Sequence, residues 1–290
     1  MTAIALTRHH GLDAVELTSP DGARAIVALH GAHLLSWIPA GGTEQLYVSP
    51  KTAYASGQAI RGGVPVCFPQ FADRGPLPKH GFARTRPWQL VSAERSELDA
   101  LAVLRLADDA ATRLIWPHAF EAELSVLVHG RTLQIELAVE NKGQEGEGGG
   151  APFDFTAALH TYLAMNDIDE ASVAGLSGLQ YFDSVDKTEK QQRVELLLPA
   201  GELDRVYYQA KQPLEVREHG ISTQRQLHIT QQGFEDVVTW NPGAARCATL
   251  ADMPEDGWRK MLCVEAATVR HPVQLAPGES WVGMQSMTLG

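Results

Sequence analysis

Leu124-Ser-Val-Leu-Val128, the turn His129-Gly130, and Thr132-Leu-Gln-Ile-Glu-Leu-Ala-Val-Glu140 decide the fold class. Leu133, Ile135, Leu137 and Val139 alternate with polar or small residues, and strand side chains alternate between faces, so one face of that strand is predicted to be buried. Two such runs joined across a glycine turn predict a β-hairpin. Working outward, shorter β-branched or alternating runs stand at 14–18, 25–37, 101–106, 193–198, 226–230 and 237–240, punctuated by Gly, Pro, Asn and Asp. Long amphipathic helical patterns are scarce, which favours an all-β antiparallel sandwich over alternating strands and helices. The glycine-rich stretch Gly143–Gly150 is read as a loop insertion rather than an interdomain linker, because the strand before it and the Pro152–His160 strand after it look like neighbours in one sheet. The expectation is a single domain over residues 1–290.

Composition narrows the function. With 24 Lys and Arg against 35 Asp and Glu, the net charge of −11 opposes nonspecific binding to nucleic acid or anionic membrane. No segment approaches the roughly 20 apolar residues of a membrane span. Three cysteines, Cys67, Cys247 and Cys263, lack CxxC spacing, and no His-x-His pair occurs, so neither a disulfide framework nor a metal site is indicated. A cytoplasmic protein without cofactor or metal, acting as a monomer, is expected.

One pair of segments looks built to hold a ligand: Ala59-Ile-Arg-Gly-Gly-Val-Pro-Val-Cys-Phe-Pro-Gln-Phe71 and Leu77-Pro-Lys-His-Gly-Phe-Ala-Arg84. Glycines permit backbone conformations that side chains forbid, prolines stiffen the path, and the Arg61 and Arg84 guanidinium forks suit phosphate or carboxylate oxygens. In a chain this acidic, an anionic ligand needs such a local basic pocket. His160, in Phe155-Thr-Ala-Ala-Leu-His-Thr-Tyr-Leu163, is a titratable ring in an apolar run; it is either a satisfied structural histidine or a proton donor near neutral pH. Glu265, in Met261-Leu-Cys-Val-Glu-Ala-Ala267, has no polar face to occupy, so it needs donors or a raised pKa; a structural ion pair and a general base both meet that need. His80 and Asp204 read as turn residues from their surroundings alone.

These segments resemble the aldose 1-epimerase superfamily, and within it the hexose-6-phosphate mutarotases. The likeness runs from Gly31-Ala-His-Leu-Leu-Ser-Trp37 to Ala276-Pro-Gly-Glu-Ser-Trp281, with the motifs in the family's order. It implies a β-supersandwich of two large antiparallel sheets and few short helices, with the pocket on a concave face. It further implies that His160, in Leu-His-Thr-Tyr followed by Asp167-Ile168, is the general acid and Glu265, in Cys-Val-Glu, the general base. Arg61 and Arg84 would contact a substrate phosphate. His80 would contact sugar hydroxyls or support the acid–base pair, and Asp204, in Asp-Arg-Val-Tyr, would bind hydroxyls or orient the histidine. Asp183, in Tyr181-Phe-Asp-Ser184, is a weaker candidate. The implied partner is a small molecule, a hexose 6-phosphate, whose anomers interconvert when a base deprotonates the anomeric hydroxyl and an acid protonates the ring oxygen.

Two departures stand out: Trp240-Asn-Pro-Gly243 carries glycine where the family usually has a second tryptophan, a change expected to alter the pocket wall, and the Gly143–Gly150 insertion is unusual. Three rival readings are an epimerase of unphosphorylated aldoses, a silent sugar-binding module on the same sandwich, and a metal-dependent sugar-phosphate isomerase. Convergence of Arg61 and Arg84 on His160 and Glu265 is the feature that separates a phosphorylated substrate from a neutral one.

Overall fold

The decisive hairpin forms as read. In the computed structural model, which describes residues 2–144, 150–220 and 224–290, strands Phe120–His129 and Thr132–Asn141 pair antiparallel, with His129 opposite Thr132. Leu133, Ile135, Leu137 and Val139 are all fully buried, each contributing about 1.5–3 kcal/mol of burial. The hairpin lies inside a nine-stranded antiparallel sheet that runs from Thr2–Ala3 at one edge to Ala171–Ala174 at the other.

A second large sheet packs against this one. Its order is Thr188–Gln191, Gln180–Asp183, Leu203–Tyr207, Asp236–Asn241, Met261–Leu275, Phe153–Leu159 and Val66–Cys67, and Tyr162–Ala164 also pairs with Met261–Leu275. A four-stranded antiparallel sheet spans Leu6–Ile38. The helices are short: Ala110–Ile115, Gly243–Cys247 and three 3-10 turns among the described residues. None is long and apolar enough to cross a membrane. Leu133, Ile135 and Leu137 of one large sheet share a hydrophobic cluster with Leu262, Val264 and Ala266 of the other.

Three sequence expectations need correction. The 25–37 run is two paired strands, Arg24–Ala28 and His33–Ile38, because a turn through Gly31 at φ +73° folds it back. The 193–198 run forms no strand; only Leu197 bridges to Val173, while the strand lies earlier, at Thr188–Gln191. Thr132–Asn141 and Phe153–Leu159 belong to different sheets, so the chain crosses the sandwich between them. Alternation shows which face of a strand is buried but not which sheet it joins. Of the Gly143–Gly150 insertion, residues 145–149 lie outside the described residues.

Candidate active site

Met261–Leu275, in the interior of the eight-stranded sheet, is buried on both faces from Met261 to Val269. Leu262, Val264 and Ala266 face the core between the sheets. Cys263, Glu265 and Ala267 face the other way, beneath a cavity of about 500 Å³. The apolar residues on both sides of Glu265 thus have two different jobs, and the carboxylate belongs to the cavity side. Phe153–Leu159 pairs Leu159 with Ala266, and the amide of Val264 bonds the Thr161 carbonyl, so the register sets His160 opposite Glu265.

His160 Nδ1 stands 3.2 Å from Glu265 Oε1. The contact is within ion-pair reach yet poorly aligned for a hydrogen bond, and Glu265 Oε2 is buried with no protein partner among the described residues. Burial holds the His160 imidazole well below its ordinary pKa, and His80, Arg84 and Arg61 push the same way. Burial also raises the Glu265 carboxyl well above its usual range, with Asp204 adding to the rise and Arg84 opposing it. Each member of the couple is driven toward its neutral form, which leaves one proton between the two groups.

The walls come from distant segments. Arg61, His80, Arg84, His160, Asp204 and Glu265, all singled out from the sequence, line this one cavity. Arg61 is anchored, its Nε to Asp252 at 3.0 Å and an Nη to the Tyr162 hydroxyl at 3.1 Å. Arg84 is freer; its Nη2 bonds the Lys79 carbonyl and its Nε is buried without a partner among the described residues. Gly62, at φ +111°, lets the Arg61 loop lie against Tyr47 and Val48, where a Cβ would sit 2.3 Å from the Tyr47 carbonyl oxygen. Asp204 pairs with Trp240, which pairs with Cys263, so these residues form one row across three strands. Burial raises the Asp204 pKa.

Other lining residues escaped the sequence reading. Tyr162, two positions beyond His160, stacks on its ring at 4.8 Å, and Trp240 stands edge-on to it at 6.1 Å. Alternation could have found Tyr162, and Lys79 adjoins His80 in the quoted motif. Arg74, Lys187 and Arg246 sit in loops or a short helix with no pattern to mark them. The lining thus carries six cationic side chains, Arg61, Arg74, Lys79, Arg84, Lys187 and Arg246, against three carboxylates, Asp73, Asp204 and Glu265, in a chain of net charge −11. Asp183 is turned away from the cavity and bonds Lys190 at 3.0 Å, while its neighbours Phe182 and Ser184 line the wall.

Residues 13–288 match the family model for aldose 1-epimerase. The chain belongs to the aldose 1-epimerase family. It is 37% identical over 263 residues to an Escherichia coli K12 protein named "Putative glucose-6-phosphate 1-epimerase", covering 88% of this chain and 83% of that one. A Cenchrus ciliaris protein of the same name is 33% identical over 280 residues, 94% of this chain and 83% of its own. Among solved structures, a "putative mutarotase" from Salmonella typhimurium superposes with a TM-score of 0.88 at 31% identity, over 99% of this chain and 94% of that one. In this aldose 1-epimerase family member, Gly243 does not line the cavity. At φ +61° it opens the Gly243–Cys247 helix, donates its amide N–H to Asn241 Oδ1, and packs so tightly that a Cβ would lie 2.7 Å from the Gly201–Glu202 backbone. The glycine answers to that close approach.

Proposed function

We propose that the protein interconverts the α and β anomers of hexose 6-phosphates, glucose 6-phosphate foremost, by opening and reclosing the ring at carbon 1. The observation that carries this reading is the His160–Glu265 couple, 3.2 Å apart at the floor of a cavity whose walls are rich in cations. The names of the relatives support the same substrate class.

One shared proton is the stoichiometry the reaction needs. In its ion-pair tautomer, Glu265 is a carboxylate that takes the proton from the anomeric hydroxyl, and His160 is an imidazolium that gives one to the ring oxygen. The bond from carbon 1 to the ring oxygen breaks and carbon 1 becomes an aldehyde. The couple is left in its neutral tautomer, a carboxylic acid and a free imidazole. Rotation about the bond between carbons 1 and 2 presents the other carbonyl face, and the reverse transfers close the opposite anomer. Positioned acid–base catalysis of this kind contributes about 10²–10⁴-fold. Arg61 and Arg84 hold the phosphate by charge-assisted hydrogen bonds, and Asp204 and His80 hold sugar hydroxyls. The same reading takes residues 1–290 as one domain working as a monomer.

The test is magnetisation-exchange NMR of the anomeric protons of glucose 6-phosphate and free galactose in one tube, with and without catalytic amounts of protein. Acceleration of the phosphorylated sugar alone is expected. Acceleration of galactose instead would transfer the activity to unphosphorylated aldoses, and acceleration of neither would leave a silent sugar-binding protein.

A further inference from the structure

The protonation pattern of His80 can be read from its neighbours. Its Nδ1 accepts from the backbone N–H of Ala72 at 3.3 Å and lies 3.1 Å from Cys67 Sγ. An amide nitrogen can only donate, so Nδ1 carries no proton, and in a neutral imidazole the proton is then on Nε2. With Nδ1 an acceptor, the Cys67 thiol must be the donor in the second contact. Protonation of both nitrogens is strongly disfavoured: burial, then Arg84, Lys79 and Arg61, take the His80 pKa down to about 3.

The surroundings hold the ring in this pose. Cys67 ends the edge strand Val66–Cys67 and pairs with Ala158, two residues before His160. His80 sits at φ +64° and donates its own N–H to the Ala72 carbonyl at 2.8 Å, so the two residues bond reciprocally. Its ring meets Phe71 edge-on at 5.3 Å and His160 at 5.4 Å. With Nδ1 turned to Cys67 and Ala72, Nε2 is left for the cavity that His80 lines.

We propose that Cys67 is a positioning residue: its S–H, together with the Ala72 amide, holds His80 as the Nε2–H tautomer, so that this imidazole meets the sugar only as a hydrogen-bond donor to an oxygen beside the one His160 protonates. The kinetic part rests on the mutarotase reading above; the tautomer does not. A donor fixed before substrate arrives needs no reorganisation when charge develops on a sugar oxygen. A thiol suits the task because it is a weak donor that fills its buried space as a small hydrophobe.

The experiment pairs a long-range ¹⁵N–¹H spectrum of the free protein with anomer-exchange kinetics on glucose 6-phosphate, for wild type, Cys67→Ala and Cys67→Ser. In wild type, His80 is expected to carry its proton on Nε2. Cys67→Ala should mix in the Nδ1–H form and lower kcat about fivefold, the size of one weak hydrogen bond, with KM little changed. Cys67→Ser, which restores a donor, should recover both signals. A wild-type proton on Nδ1 overturns the tautomer. Equal impairment of the alanine and serine variants, or an alanine variant unchanged in both readouts, overturns the role of Cys67. If wild type does not accelerate anomer exchange at all, the functional reading fails while the spectrum still judges the tautomer.

Discussion

The hairpin Phe120–Asn141 and the strand Met261–Leu275 are both apolar β structure, but they bury their side chains differently. Along the hairpin, buried and half-buried residues alternate strictly, and Glu136 lies on the half-buried face. Along Met261–Val269 both faces are buried, and Glu265 is 1% exposed. A carboxylate on an open face costs little to keep, whereas one beneath a cavity needs compensation that this structure does not fully supply. The contrast separates two kinds of carboxylate: Glu265 in the doubly buried strand lines the cavity, whereas Glu136 in the hairpin lies on its half-buried face.

Substitutions can break that contrast. The largest effect should follow Glu265→Gln or His160→Ala, each lowering the anomer-exchange rate by about 10²–10⁴-fold while circular dichroism and melting temperature stay near wild type. Glu136→Gln in the hairpin should change neither; a comparable rate loss there would erase the distinction. Leu137→Ala should do the reverse, costing about 2–5 kcal/mol in denaturant unfolding while kcat per folded molecule is retained. Within the cavity, Arg84→Ala should raise KM for glucose 6-phosphate roughly tenfold, the loss of one charge-assisted bond, with a smaller change in kcat. A loss confined to kcat would place Arg84 with the acid–base couple instead.

Acidification sharpens the comparison most gently. Burial lowers the His33 pKa from 6.5 to about 4 and that of His80 to about 3. Both are neutral when folded, while the unfolded chain takes up their protons below pH 6.5. Their contribution is therefore complete above pH 6.5 and declines as pH falls through 4 and then 3, with a slope of at most about 1.4 kcal/mol per pH unit for each titrating group. Melting temperatures between pH 7 and 3 should show the decline, and His33→Gln should remove part of it. A flat profile would mean that neither ring is buried neutral.

Much of this was legible in the sequence because it is local. Strict alternation over Thr132–Asn141 announces a half-buried strand, and Gly, Pro and Arg packed into 59–84 announce a shaped pocket for an anionic ligand. What stayed hidden depends on partners far along the chain. The pairing of Arg61 with Asp252, and the separation of Thr132–Asn141 and Phe153–Leu159 into different sheets, leave no trace in either segment's own pattern. Arg74, Lys187 and Arg246 are exposed charges, and only the folded placement of their loops and short helix brings them to the cavity. Asp183 carries the more reactive side chain, yet its neighbours Phe182 and Ser184 are the ones that line the cavity, because successive residues of extended chain point to opposite sides.

The span of Arg61 to Asp252, 191 residues, has a consequence for how the molecule comes into being. A cavity assembled from segments between residues 61 and 265 cannot exist in any nascent fragment, and loop closure over such distances is slow compared with forming a hairpin. Catalytic competence is thus a late event in folding. During refolding from denaturant, β-sheet signal from pieces such as Phe120–Asn141 should return first, and turnover should return only once the two ends of the chain have met.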